Sequence, residues 1–183
     1  MPPHHTPDSD TSSQDPAAPL DRAGLIKAVW LDNSAPASIY LDGPTAVDTI
    51  GALLGYKDYM SATLTDNLAL WMGSSSDDDT NHGASRVLNW LLDDLAGGTY
   101  PATDTERDYA RTLVGDEPLY LIGRCLITGK VTDGDQHVPA TLPEQFTGWL
   151  TRRVSRYIDE RRTALHERVR LLGDDSIWTG HLA

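Results

Sequence analysis

The sequence holds a single cysteine, so no intrachain disulfide framework can form. Lysine is almost missing, with three residues in 183, and Lys+Arg total 15 against 27 Asp+Glu, a formal net charge of −12. A field of that sign repels phosphate backbones and anionic lipid, which argues against a general nucleic-acid binder. No apolar run approaches the roughly 18 residues that a membrane span requires, so no membrane association is expected. Residues 1–21 have neither a basic n-region nor an apolar h-region, so a secretory signal is not expected and the cytoplasm is. G-x-S-x-G, H-E-x-x-H and C-x-x-C are all absent. No catalytic residue, metal ligand or cofactor is therefore indicated.

What remains is 39% hydrophobic and 23% charged, the composition of one globular domain with a polar fringe. Residues 1–21 carry five prolines, five Ser or Thr and four Asp, a tail that cannot offset its ordering entropy by burial. His4 and His5 sit in that tail and are more simply incidental than a metal pair. Residues 22–143 form the expected α+β domain, 144–172 a long C-terminal helix, and 173–183 a second tail. The charge divides along the same boundary. Residues 1–143 hold 8 basic and 21 acidic residues, whereas residues 144–183 hold 7 and 6. Asp exceeds Glu by 22 to 5 and Arg exceeds Lys by 12 to 3, a bias that also fits a GC-rich coding sequence.

Leu25–Asp32 and Ala37–Asp42 are expected as neighbouring strands around a turn at Asn33–Pro36. Gly43-Pro44 opens a short helix with Val47, Ile50 and Leu54 on one face and Gly55 as its stop. Ser61–Thr65 and Leu68–Met72 flank Asp66-Asn67 as a hairpin. Val87, Leu88, Leu91, Leu92 and Leu95 make the apolar stripe of a helix over Ala84–Leu95. Thr103 and Glu106 form a capping box for a helix over Asp104–Val114, with Tyr109 and Leu113 on one face. Leu119–Thr128 is apolar enough for a central strand, and Gly129–Val138 returns from it around Asp133-Gly134. The fold class is α+β: a small mixed or antiparallel sheet, three short helices and a long amphipathic one.

Three local patterns invite chemistry. Gly123 to Val131 (GRCLITGKV) has five residues between its glycines and Val131 after Lys130, so it lacks both the Walker spacing and the hydroxyl for magnesium. Gly123 and Gly129 are expected at strand boundaries instead. Asp77, Asp79 and Asn81 alternate like the start of a calcium loop, but His82 stands where Gly is needed and Leu88 where Glu is needed. Cys125 lies in an apolar strand and is expected as core. Trp30, Trp71 and Trp90 are likewise expected in the core. The polar loop Gly73–Gly83, with His82 and three consecutive Asp residues, is where an enzyme with an unfamiliar site would place it.

An early strand (Ile26–Leu31), a helix with Ile50–Leu54 and a strand with Leu68–Met72 follow in order, then Asn81-x-x-Ala84-Ser85 opening a helix and a closing Gly123-x-Cys125-Leu126-Ile127-Thr128-Gly129. Over about residues 26–129 this order resembles the bacterial and phage family catalogued as domain of unknown function 3846. The resemblance implies an accessory protein of a phage, plasmid or mobile element, and it carries no functional residue onto this chain. The insert Ser74–Thr80, the stretch Gly97–Pro118 and the C-terminal helix all depart from that plan.

Phe146, Leu150, Val154, Ile158, Leu165, Val169 and Leu172 follow one seam of the last helix. Arg152, Arg156 and Arg170 lie opposite it beside Asp159 and Glu167, close enough to pair at helical spacing, which favours a solvated face over a DNA-binding one. A helix this long overreaches a compact body, so its outer residues Leu165, Val169 and Leu172 are expected to bind a protein partner or a second copy. The resulting expectation is a non-enzymatic interaction protein. The alternatives are an enzyme with its site near residues 73–83, or a weak nucleic-acid binder through the helix.

Overall fold

The computed structural model describes residues 24–55, 58–73, 79–133 and 136–174. The expected tail 1–21, the centre of the acidic loop and residues 175–183 lie outside that set. Six strands form one antiparallel sheet: β1 (Leu25–Leu31), β2 (Ala37–Asp42), β3 (Met60–Thr65), β4 (Leu68–Gly73), β5 (Arg124–Asp133) and β6 (Gln136–Ala140). Their order is β2-β1-β5-β4-β3, with β6 paired to the far end of β5. Among the described residues four α-helices complete the α+β fold, α1 (Ala46–Leu54), α2 (His82–Ala96), α3 (Asp104–Leu113) and α4 (Glu144–Asp174), with a short 3-10 turn over Gly43–Thr45 leading into α1.

Because strand side chains alternate, the central strands feed two cores. Val29, Leu31, Leu68, Leu70, Cys125 and Ile127 point to one face, where α2, α3 and the start of α4 cover them with Val87, Leu91, Leu95, Ala110, Phe146 and Leu150. Ala28, Ala69, Trp71 and Leu126 point to the other, under Ala46, Ile50 and Leu54 of α1. On that second face Trp71 Nε1–H donates to Thr128 Oγ1 at 2.8 Å, so the one polar end of a buried indole is satisfied.

Local signals place the elements. Gly55 takes φ 74° and ends α1. Thr103 and Glu106 form the expected capping box of α3. Asn81 caps α2 by accepting from Ala84 N–H, and its amide donates to Leu31 O at 3.0 Å and to Gly123 O at 2.7 Å. One buried side chain thus ties a helix start to two strand ends.

Several expectations need correction. The central strand begins at Arg124 rather than Leu119, because Gly123 turns the backbone at φ 72° and Leu121 and Ser85 are joined by hydrogen bonding outside the sheet. Gly129 lies within β5, not at its boundary, and a Cβ there would stand 2.2 Å from Thr141 O. Val47 is exposed on α1, since Ala46 takes the buried position beside Ile50. Tyr109 is exposed while Leu113 is partly buried, and Trp30 and Trp90 are only partly buried.

Candidate interaction surface

The C-terminal helix changes character along its length. Its first turns pack Phe146, Trp149 and Leu150 into the core. One polar hub fixes this root to α2. Arg153 Nε and Nη2 donate to Asp94 Oδ2 and Oδ1 at 2.8 and 2.7 Å, and Trp149 Nε1–H donates to Oδ2 at 2.7 Å. Thr99 Oγ1 adds a fourth bond at 2.8 Å. Burial works against the charge on Asp94, but these donors outweigh it and hold the carboxyl below its ordinary range.

Beyond Tyr157 the helix leaves the body. Every residue from Ile158 to Arg168 is exposed, and Ile158 and Leu165 are 50% and 59% exposed. Leu165 therefore stands where the sequence places it, free of the core. Val169 and Leu172 belong to the same helix, and their side chains lie outside the described residues. At about 100° per residue, Ile158 and Leu165 fall within about 20° of each other, flanked within about 60° by Arg161, Arg162 and Arg168. Asp159, Glu160 and Glu167 lie on the far side, where with Arg156 and Thr163 they line a shallow concavity. The expected pairing of arginines with carboxylates on this helix is not formed. Among the described residues, Arg156, Arg161, Arg162, Arg168 and Arg170 make no ion pair.

A groove of ≈ 220 Å³ opens where the free half begins, between the turn Asn33–Pro36, the start of α2 and α4. Gly83 makes the close approach there, since a Cβ would sit 1.8 Å from Asp32 O. Trp90 meets Tyr157 edge to face at 5.4 Å, and Arg86 lies over the Tyr157 ring at 4.4 Å. Sequence reasoning missed this cluster. Tyr157 and Arg161 are readable as an i, i+4 pair, but Arg86 joins them only through packing of α2 on α4.

The enzyme alternative gains little from the loop. His82 is exposed, its backbone N–H donating to Asn33 Oδ1. Ser85, which lines a concavity with His82 and Asn89, has its hydroxyl engaged by Asn81 O and Leu121 N–H. Asp93 also lines that concavity but follows His82 by eleven residues on one helix, about 16 Å away by helical rise. Cys125 is fully buried, and burial pushes its thiol up to about 12, so it is core as expected. No group of three metal-ligating side chains occurs among the described residues. A second cluster lies on the α1 face: Ser61 Oγ is 3.3 Å from His137 Nδ1, and Thr63 Oγ1 is 3.2 Å from Nε2 and accepts from Lys130 Nζ. Ser61 and Thr63 are exposed, His137 and Lys130 are half-buried, and the imidazole has no carboxylate partner among the described residues. Among the described residues no helix is long and apolar enough to cross a membrane.

No family model, no curated protein and no solved structure matches the chain.

Proposed function

We propose that this is a non-enzymatic accessory protein that acts by docking through the free half of α4, and that the surface it docks on is the acidic face of a second copy. The observation that carries this reading is the run of exposed residues Ile158–Arg168 on a helix whose root is clamped to the body. An isolated helical turn gains little in water, and Ile158 and Leu165, about half exposed, each forgo half of the roughly 1.5–3 kcal/mol that full burial supplies. A rigidly held helix with an apolar stripe is thus poised for a partner.

Charge selects among partners. Two stripes face to face would set Arg161, Arg162 and Arg168 against their counterparts, which is unfavourable. The body offers the complement. Residues 104–120 hold five acidic and two basic residues, and among them Tyr109, Val114, Leu119 and Tyr120 are exposed. The arginines beside the stripe are complementary in charge to this segment, where Asp104 and Asp108 already pair with Arg107 and Arg111 while Asp116 and Glu117 make no ion pair among the described residues.

Cysteine cross-linking tests the arrangement. Leu165→Cys chains are mixed with Tyr109→Cys chains under mild oxidation, the buried Cys125 remaining out of reach. Linked heterodimers forming well above a Val47→Cys control support the docking. Links confined to Leu165→Cys with itself would overturn the acidic-face assignment, and no link above the control would overturn docking by the stripe.

A further inference from the structure

The groove between α2 and α4 contains two guanidinium groups, Arg86 and Arg161, that have no acidic partner among the described residues. Arg86 makes no hydrogen bond or ion pair among the described residues, and it is held by stacking 4.4 Å from the centre of Tyr157. Arg161 lies 5.8 Å from the same ring and spends one N–H on the Tyr157 hydroxyl at 3.2 Å. Stacking uses the face of a guanidinium and leaves its rim of N–H donors open. Asp32, at the adjoining turn, is already taken by the N–H and hydroxyl of Ser34. Asp159 and Glu160 line the opposite side of α4. Asn33 and Ser34 of the turn make one polar edge of the lining, and Ala35, Pro36, Val87, Trp90, Val154 and Ile158 make an apolar wall.

We propose that this groove binds an acidic peptide segment of a partner protein, one carboxylate held by Arg86 and Arg161 and an adjacent apolar side chain seated against Trp90 and Pro36. The planar rim of a guanidinium matches a carboxylate in a two-bond fork. Orientation is set before binding, because Tyr157 fixes both cations and the Trp90 edge fixes Tyr157. The first turn of α2, with Gly83 in the wall, adds the positive end of a helix dipole. An apolar wall beside paired cations suits an acidic-hydrophobic peptide better than a hydrated phosphate. Ile158 and Arg161 are shared with the α4 stripe, whereas Arg86 and Trp90 belong to α2, so a change at Arg86 separates this inference from self-association.

The test uses the full chain carrying Leu165→Gln, in which docking by the stripe is weakened without setting a carboxylate one turn from Arg161. A short labelled peptide alternating Glu and Leu is titrated at low salt and followed by fluorescence anisotropy. Saturable binding that weakens with salt is expected, with a loss of about tenfold or more on adding Arg86→Gln. The same peptide with Gln for Glu should bind no better to Leu165→Gln than the acidic peptide binds to the Arg86→Gln variant. Equal affinity for both peptides, no binding at all, or indifference to Arg86→Gln would overturn the proposal. Displacement of the peptide by an equal concentration of inorganic phosphate would also overturn it, by making the groove a phosphate site. None of these failures touches the cross-linking result at Leu165.

Discussion

Asp94 and Arg153 form a two-bond ion pair, 2.7 and 2.8 Å, that joins α2 to α4 at the point where the C-terminal helix leaves the core. The side chains are 16% and 22% exposed, so the pair is largely withdrawn from water. It stands beside a satisfied Trp149 indole and sets the direction of everything beyond it.

Removing the carboxylate should cost more than removing the cation. Asp94→Ala strips partners from Arg153, Trp149 and Thr99 together, and about 2–4 kcal/mol of stability is expected to go. Arg153→Met leaves Asp94 with Trp149 and Thr99, and about 1–2 kcal/mol is expected. Urea midpoints of the two variants check the order. Equal losses would show that Trp149 and Thr99 contribute nothing to the hub.

Acid should loosen both this joint and the cap of α3. Burial opposes ionisation of Asp94 and Glu106. For Asp94 the bonds from Arg153, Trp149 and Thr99 win. For Glu106 it is the backbone N–H groups of Asp66 and Thr103, the Thr103 hydroxyl and the charge of Lys130. Both carboxyls therefore lie below their ordinary values of 3.8 and 4.5. A depressed carboxyl contributes its full stability above the ordinary value and loses it as pH falls through the depressed one. Urea midpoints should be level above about pH 5.5 as far as these two groups decide, and fall below pH 4.5. Asp94→Asn with Glu106→Gln should be less stable at neutral pH and flatter in acid.

Much of this architecture is written locally. The α2 stripe, the Thr103–Glu106 box and Gly55 each carry their own stop or start signal, and the corresponding elements lie where those signals put them. The start of β5 was not legible, because Leu119–Ile122 is as apolar as a strand and it is tertiary bonds from Asn81, Ser85 and Asn89 and a bridge to Thr80 that draw it away. Leu165 was legible as a free residue from helix length against body size. The Arg86–Tyr157–Arg161 groove was not, since periodicity describes one helix at a time and the groove needs two.

Asn81 separates a capping role from a bridging one. As a helix cap, Asp would serve as well as Asn. Asn81→Asp, however, loses both amide donors and sets a carboxylate against the carbonyls of Leu31 and Gly123 at a site 3% exposed. A loss of about 3 kcal/mol or more is expected in the urea midpoint. A neutral result would mean the two strand contacts are immaterial.

Cys125 should behave as core rather than as a nucleophile. With its thiol pushed up to about 12 by burial, it should resist an aromatic disulfide reagent at neutral pH in the native protein. In denaturant it should react completely at one equivalent per chain. Rapid native reaction would place the thiol at an accessible site.

Sedimentation equilibrium of the full chain tests the docking role of α4 most directly. At low salt the apparent mass should rise with concentration from 20.0 kDa toward that of a dimer, and high salt should move it back. Leu165→Asp should stay at the monomer mass throughout while its circular dichroism matches the parent. A parent chain that remains at 20.0 kDa at every concentration, or a Leu165→Asp variant that associates as the parent does, would contradict the account.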